Sequence, residues 1–517
     1  MHRRGFVRSL GGLLVAAPMT RRAGAAGLPA LPGGTQLDRI FTDGFDRLPG
    51  VEPVDDGIEL GQGTVYHIAK TGNDANPGTQ EQPFLTINRF MAACAPGDTG
   101  VVRAGVYRES TVGNPHVPPQ VWMGDVMAAI GMRVNGAPGN RCTLMAHPDD
   151  VGAVVIDGNG SLVGIHANQK DHWNLWGLRI ENCLMNGIAS WGQAPDHVPD
   201  FAALSRWWKI SNCAVAHVTG LAQDNVAGIG PWGTQGWHIV NTHIHDIHSI
   251  GHVGGVSGIL AYGAIGLLVE HCRIAAVDHG VFLKDHFLLT AEPRTPAPGA
   301  EIRYCVLDTR EFVLFKSFRG DGSCEAGTTR FHHNICYGTN AGETIARAVM
   351  GGTLGQSEGL YFEHNLFDVQ ASSAVVLECQ AMRDVRIRGN ILVNGGGMYR
   401  FMDTHLASHL TQANHNLFSP HVITAVMDEY SANPVPYWSL AQWQAALASQ
   451  SNALGFDHPD TASQVVATAS LFVDRPARDY RHRPGSPALG LMPDGSHCGP
   501  YQLGLETIGL LSNHSAS

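Results

Sequence analysis

From residue 178 to residue 420 apolar and polar positions alternate with a period of two in short bursts, and the bursts recur. Aligned, they read "IENCLM", "ISNCAV", "IVNTHI", "VEHCRI", "IRYCVL", "FHHNIC", "FEHNLF", "IRGNIL" and "ANHNLF". Their fourth residues are Cys183, Cys213, Thr242, Cys272, Cys305, Asn334, Asn365, Asn390 and Asn416, separated by 25 to 33 residues. Alternation by two is the period of a strand, and self-similarity at such a spacing marks a solenoid. Stacked coils bring equivalent residues about 4.8 Å apart. Asparagines in that register pass amide hydrogen bonds from coil to coil. Cysteines in the same column act as small buried hydrophobes.

A second strand follows each burst: "GIASW", "GIGPW", "GILAY", "GVFLK", "FVLFK", "ETIAR", "AVVLE" and "GMYRF". Their last residues form a predicted column of Trp191, Trp232, Tyr262, Lys284, Lys316, Arg347, Glu378 and Phe401. Sliding "ETIAR" by one residue would turn Arg347 to the other face. The chain holds five lysines against twenty-nine arginines, so two lysines on neighbouring coils are conspicuous. Rings stack on sugar faces and cations neutralise carboxylates, which suits a groove for an anionic sugar polymer. Two ammonium groups about 5 Å apart repel by roughly 3 kcal/mol at an effective dielectric near 20, which favours a neutral amine able to act as a general base. Solvated strand-end lysines and a surface Arg347–Glu378 pair are the alternative for the same residues.

Composition narrows the class. Glycine is abundant (62 residues) and charged residues make up 15%, as short strands joined by turns require. The first residues, "HRRGFVRSLGGLLVAAPMTRRAGAAG", resemble a twin-arginine export signal, with an apolar stretch too short to span a membrane. Removing residues 1–25 takes away five arginines and no acids, so the formal charge of −11 becomes −16. A mature chain that acidic is a poor partner for nucleic acid or a membrane surface. A periplasmic or extracellular location follows, with folding in a reducing compartment before export and free thiols in the ladder.

"VYHIAKTGNDANPGTQEQPFLTINRFMAACAPGDTGVVRAGVYRE" (Val65 to Glu109) resembles the opening module of right-handed parallel β-helix proteins of the pectate-lyase-like superfamily, and "DYRHRPGSPALGLMPDG" (Asp479 to Gly495) resembles their closing segment. The resemblance implies an all-β chain, a single-stranded right-handed parallel β-helix with coils of about 30 residues. Ile87, Phe90, Met91 and Cys94 fall on one helical face and predict an N-terminal capping helix. The organisation expected is a signal peptide over 1–25, a linker or loosely attached segment over 26–63, a cap module over 64–110, coils with loop excursions over 111–425 and a C-terminal capping segment over 426–517. Within the last, "SLAQWQAALA" begins with an N-cap serine at Ser439.

"FVLFKS", "FHHNICY" and "TIAR" are similar to the active-site pattern of the chondroitinase B and alginate lyase family. That resemblance implies Lys316 as Brønsted base, Arg347 as its assisting arginine, and a calcium ion that neutralises a uronate carboxylate. Glu311 matches one calcium ligand, and Asp278 and Asp308 are candidates for the others, because calcium needs several oxygen ligands. Lys284 would tune Lys316, bind the next subsite or act as the base itself, and "DHGVFLK" is distantly similar to the lysine strand of another lyase family. Trp191, Trp232, Tyr262 and Glu378 would bind substrate. The chain departs from the family where Ala348, Val349 and Met350 follow the arginine in place of histidine and glycine, and where "RGDGSCEAGT" lengthens the lysine-to-arginine interval.

The expectation is a monomeric, exported polysaccharide lyase acting on an acidic polysaccharide or oligosaccharide by β-elimination. A glycoside hydrolase on the same fold would need two converging carboxyl groups. A non-catalytic glycan-binding β-helix is the third class.

Overall fold

The computed structural model describes residues 58–115, 127–167, 169–191, 204–221, 225–250, 255–284, 299–317, 328–338, 344–350, 357–369, 375–379, 382–393, 397–401, 410–420, 423–427, 435–445, 448, 460–502 and 507–511. For residues 191, 221, 315–317, 344–350, 357–358, 375–379, 382–384, 397–401, 410, 423–427 and 435–438 the backbone alone is described. The leader expected over 1–25 and most of the segment expected over 26–63 lie outside these residues. Among them no helix is long and apolar enough to cross a membrane.

The strands stack into three long sheets. Sheet A runs through twelve strands from Val65–Ile68 to Leu410–Asn414, sheet B through twelve from Gly105–Tyr107 to Gln464–Val465, and sheet C through twelve from Ala128–Gly131 to Val435–Trp438, with Ser205–Arg206 pairing off this path against Ala227–Gln235. Along these stacks pairing is parallel until the antiparallel step from Ile423–Met427 to Val435–Trp438. The chain visits A, B and C in turn, which makes it a right-handed parallel β-helix. Each coil contributes inward residues from all three sheets to one continuous core, for example Ile302, Leu307 and Val313. Coils begin earlier than the repeat alignment shows, since Ala128–Gly131 and Cys142–Ala146 already pair with the strands of the next coil.

The A-to-B turn explains the ladder. Each coil turns on one residue in the left-handed region: Asn182, Asn212, Asn241, His271, Tyr304, His333, His364, Gly389 and His415, with φ between 47° and 65°. The ladder residue follows. Asn365 Oδ1 accepts from the backbone N–H and the amide of Asn334 at 3.0 and 3.1 Å, and Asn365 donates to Phe331 O at 2.8 Å. Asn390 and Asn416 repeat the pattern. Upstream, the thiols of Cys213, Cys272 and Cys305 turn to the carbonyl two residues back. The cysteines whose side chains are described are buried and unbridged.

The B-to-C corner is closed by glycine. A Cβ on Gly258 would lie 2.4 Å from Ile274 Cγ2 and 2.9 Å from the Gly280 carbonyl, so this corner fits only a residue without one. One coil past Gly280 the corner position passes to Phe312, which is buried and stacks on Phe367 at 6.1 Å.

Helix Ile87–Ala93 plugs the first coil with Ile87, Phe90 and Met91. Thr86 caps it, and the Glu109 carboxylate accepts from Ile87 N and Asn88 N at 2.7 and 2.9 Å, satisfying amides a helix start leaves unpaired. At the other end residues 440–445 are helical, Ser439 caps them and Trp443 enters the core.

The rest of the C-terminal segment does something other than cap. From residue 460 it runs back along sheet B, opposite to the progress of the coils. Arg475 grips Asp368 with two bonds of 2.6 and 2.7 Å, and Tyr480 Oη donates to the same carboxylate at 3.0 Å. Gly499 N then bonds Gly389 O, Gly509 N bonds Tyr304 O and Leu511 N bonds Asn241 Oδ1. Leu471, Phe472 and Ala488 cover the outward Ile335, Leu366, Ile391 and Leu417.

Candidate functional site

Backbone register decides which predicted site residues are neighbours. Trp191 pairs with Trp232, Trp232 with Tyr262, Tyr262 with Lys284 and Lys284 with Lys316, as the repeat alignment places them. The column then changes. Lys316 pairs with Val349, while Arg347 pairs with Leu314, Glu378 with Arg347 and Arg400, not Phe401, with Glu378. The offset is two residues, so Arg347 keeps its face and moves to the neighbouring column, behind Leu260, Phe282 and Leu314. It occurs in the coil after the corner passes from Gly280 to Phe312. An alignment anchored on strand ends does not fix register, so it missed the step.

The upper part of this face is less open than a solvent-facing stripe would be. Trp232 is 6% exposed, donates its indole N–H to Leu260 O at 3.0 Å and meets Tyr262 edge-on at 5.8 Å. Ala189, Ala227, Leu260, Phe282 and Leu314 join it in an apolar cluster on the outside of the coil. Tyr262 is half-buried. Trp232 is therefore a buried support, contrary to the expectation of an exposed platform. Trp173, Trp208 and Trp237 pack in the core.

Lys284 is 8% exposed. Its ammonium lies over the Phe282 ring at 4.5 Å and the Tyr262 ring at 5.5 Å, and it donates to Asn225 Oδ1. These contacts fix a positive charge on an aromatic floor.

The carboxylates expected to hold calcium are dispersed. Glu311 lies 2.9 Å from His279 Nδ1, its register partner, and His279 stands edge-on to Phe282 at 5.2 Å. Asp278 contributes its backbone carbonyl to Glu311 N at 2.7 Å. Asp308 belongs to sheet B, opposite Ala275 and Tyr337, with Arg478 at 3.7 Å. Burial pushes the Asp308 carboxyl above its ordinary range although Arg478 and Arg273 act against it. Among the described residues no three His, Cys, Asp or Glu side chains gather closely enough to hold a metal ion. This donor set does not fit calcium.

Sequence reasoning missed His279 and Asn225. His279 sits inside the quoted "DHGVFLK" segment, and its register with Glu311 was the available signal. Asn225 lies in a connection that strand alignment omits, with φ 65°.

No protein-family profile matches the chain, and no curated protein matches it in sequence. Among solved structures it is similar to a rhamnogalacturonan lyase (12% identity, TM-score 0.45, covering 88% of this chain and 97% of that one). It is also similar to a PL6 family polysaccharide lyase from Pseudopedobacter saltans (11%, 0.43, 82% and 96%) and to a glycoside hydrolase (7%, 0.44, 70% and 97%). The likeness concerns the fold.

Proposed function

We propose that the chain is an exported polysaccharide lyase that cleaves a uronic-acid-containing polysaccharide by β-elimination along the outer face of sheet C. One observation carries the reading: Lys284 and Lys316 are direct register partners beyond Trp232 and Tyr262, with Arg347 in the adjoining column. From strand spacing and rise, Lys316 and Arg347 are about 8 Å apart along the diagonal, within reach of one sugar residue for two long side chains.

In this mechanism Arg347 pairs with the uronate carboxylate and withdraws charge from it. Neutral Lys316 takes the proton at C5, electron density moves into the carboxylate, and the C4–oxygen bond breaks. The leaving oxygen takes a proton from solvent water and departs as a new hydroxyl, its partner keeps a C4–C5 double bond, and the Lys316 ammonium returns the C5 proton to solvent. Lys284, already held by Asn225 and two rings, is the fixed cation that stabilises the developing dianion. The buried, unbridged thiols agree with folding before twin-arginine export.

The test is to incubate the mature protein with alginate, pectate, chondroitin, dermatan and bacterial uronate exopolysaccharides, with and without calcium, and follow ultraviolet absorbance. Unsaturated uronate that disappears in Lys316→Ala supports the lyase and names its substrate. New reducing ends without absorbance would instead indicate a hydrolase, and binding without turnover a glycan-binding protein.

A further inference from the structure

The C-terminal strap covers an unusual column. On successive A-to-B turns His271 stacks on Tyr304 at 5.1 Å, Tyr304 meets His333 at 5.3 Å, and His333 stacks on His364 at 4.8 Å with an interplanar angle of 11°. The strap closes over them. His364 Nδ1–H donates to His497 O at 2.9 Å, Gly509 N bonds Tyr304 O, and the backbone of Thr507 and Gly509 lies against His271. Within the strap His482 stands edge-on to His497 at 5.8 Å.

Several of these contacts need uncharged rings. His497 Nδ1 accepts from Gly490 N at 3.0 Å, so that nitrogen carries no proton. His333 Nδ1 lies 2.8 Å from His332 Nδ1, a contact one proton can fill and two cannot. His332 Nε2 lies 3.1 Å from Glu301 Oε1. Two imidazolium rings stacked as His333 and His364 are would repel at close range.

We propose that the C-terminal strap, residues 460–502 and 507–511, is an acid-released latch, closed over the turns between sheets A and B while His271, His333 and His364 are uncharged and His497 Nδ1 accepts from Gly490 N.

Burial agrees with the geometry: it holds His333 down to about 2, His271 and His482 down to about 4, and His364 below the ordinary range. The charged neighbours do not reverse this. Arg303 faces His271 and His333, and Arg388 faces His364, both disfavouring protonation. Glu270 faces His271, and Glu363 and Asp494 face His364, favouring it. Glu270 is engaged by His238 and Arg303, Glu363 by Arg388 and Asp494 by Ser496.

A histidine with a lowered value when docked and the ordinary 6.5 when released binds more protons in the released state. Docking is therefore complete above 6.5 and weakens as pH falls from 6.5 towards 4. One such histidine alone shifts the equilibrium about thirtyfold towards release at pH 5. Arg475 grips Asp368 upstream of the histidine-bearing part, so it tethers the strap without opposing release of that part. Release of that part would uncover the share of the apolar outer face of sheet B that Ala488 covers. The inference does not depend on the proposed reaction.

Hydrogen exchange of the full chain, corrected for the intrinsic pH dependence of amide exchange, tests it. Between pH 7.5 and 5, peptides of residues 484–502 should lose tenfold or more protection, on the order set by that linkage, while those spanning Asn334, Asn365 and Asn390 keep theirs. In His333→Asn/His364→Asn/His497→Asn the loss should shrink to what His271 and His482 alone impose, because asparagine tolerates the left-handed turn and its Oδ1 replaces the Nδ1 acceptor. The single variant His364→Asn should reduce the loss in part. Equal protection at both pH values in the native chain would overturn the latch, as would coils loosening together with the strap. An undiminished acid response in both variants would do the same.

Discussion

Arg347 stands in register with Leu314, two residues short of Lys316, so the two basic residues occupy adjacent columns of one sheet face. A base and a charge-neutralising group placed side by side can address different atoms of one sugar, which direct stacking would make harder. Lys316→Ala should lower kcat by about 10²–10⁴ in the unsaturated-product assay, the usual worth of a general base. Lys316→Arg should not restore it, because guanidinium stays protonated. Activity of Lys316→Ala within threefold of the native chain would remove Lys316 from the mechanism.

Trp232 and Tyr262 are register partners with different surroundings, and their variants should separate. Trp232→Ala empties a buried site and leaves Leu260 O without its donor, for an expected loss of about 3–5 kcal/mol in denaturant unfolding. Tyr262→Ala, at a half-buried position, should leave most of the stability and raise KM. Equal unfolding midpoints for the two would contradict this assignment.

Asn365 serves two donors of Asn334 and bonds Phe331 O in a fully buried column. Asn365→Ala leaves these groups unpaired, at about 1–3 kcal/mol each before relaxation, and should cost about 3 kcal/mol in all. The denaturant midpoint should fall with an unchanged slope. A loss below about 1 kcal/mol would mean that the ladder is dispensable.

Glu270 is buried, which pushes its carboxyl up, yet bonds from His238 and Arg303 prevail and bring it down to about 2. A carboxyl depressed from 4.5 contributes stability that is present above 4.5 and lost as pH falls towards 2. Glu270→Gln should cost about 3 kcal/mol at pH 7 and little near pH 2, read from unfolding curves at both. A pH-independent difference would assign the loss to packing instead.

Some of this was legible without coordinates. The ladder from Cys183 to Asn416 and the strand-end column from Trp191 to Lys316 both follow from alternation and spacing, because each coil repeats one local solution to the same turn. The capping helix at Ile87 was equally visible, since its apolar face is written in four residues. Glu311 lies 2.9 Å from His279, a neighbour that only the register reveals, and Asp308 lies on another sheet.

The sequence by itself determined the coil: its period, its turn residues, its amide ladder and its two neighbouring lysines, all set by contacts between residues one coil apart. Only the tertiary structure decided what depends on strand register and on distant segments. It moved Arg347 into the column of Leu314, covered Trp232 on the outer face beside Leu260 and led the C-terminal segment back to Asn241. The physical reason is range. A repeat records interactions that recur, whereas Arg475 with Asp368 and Leu511 with Asn241 each occur once, between residues with no shared pattern.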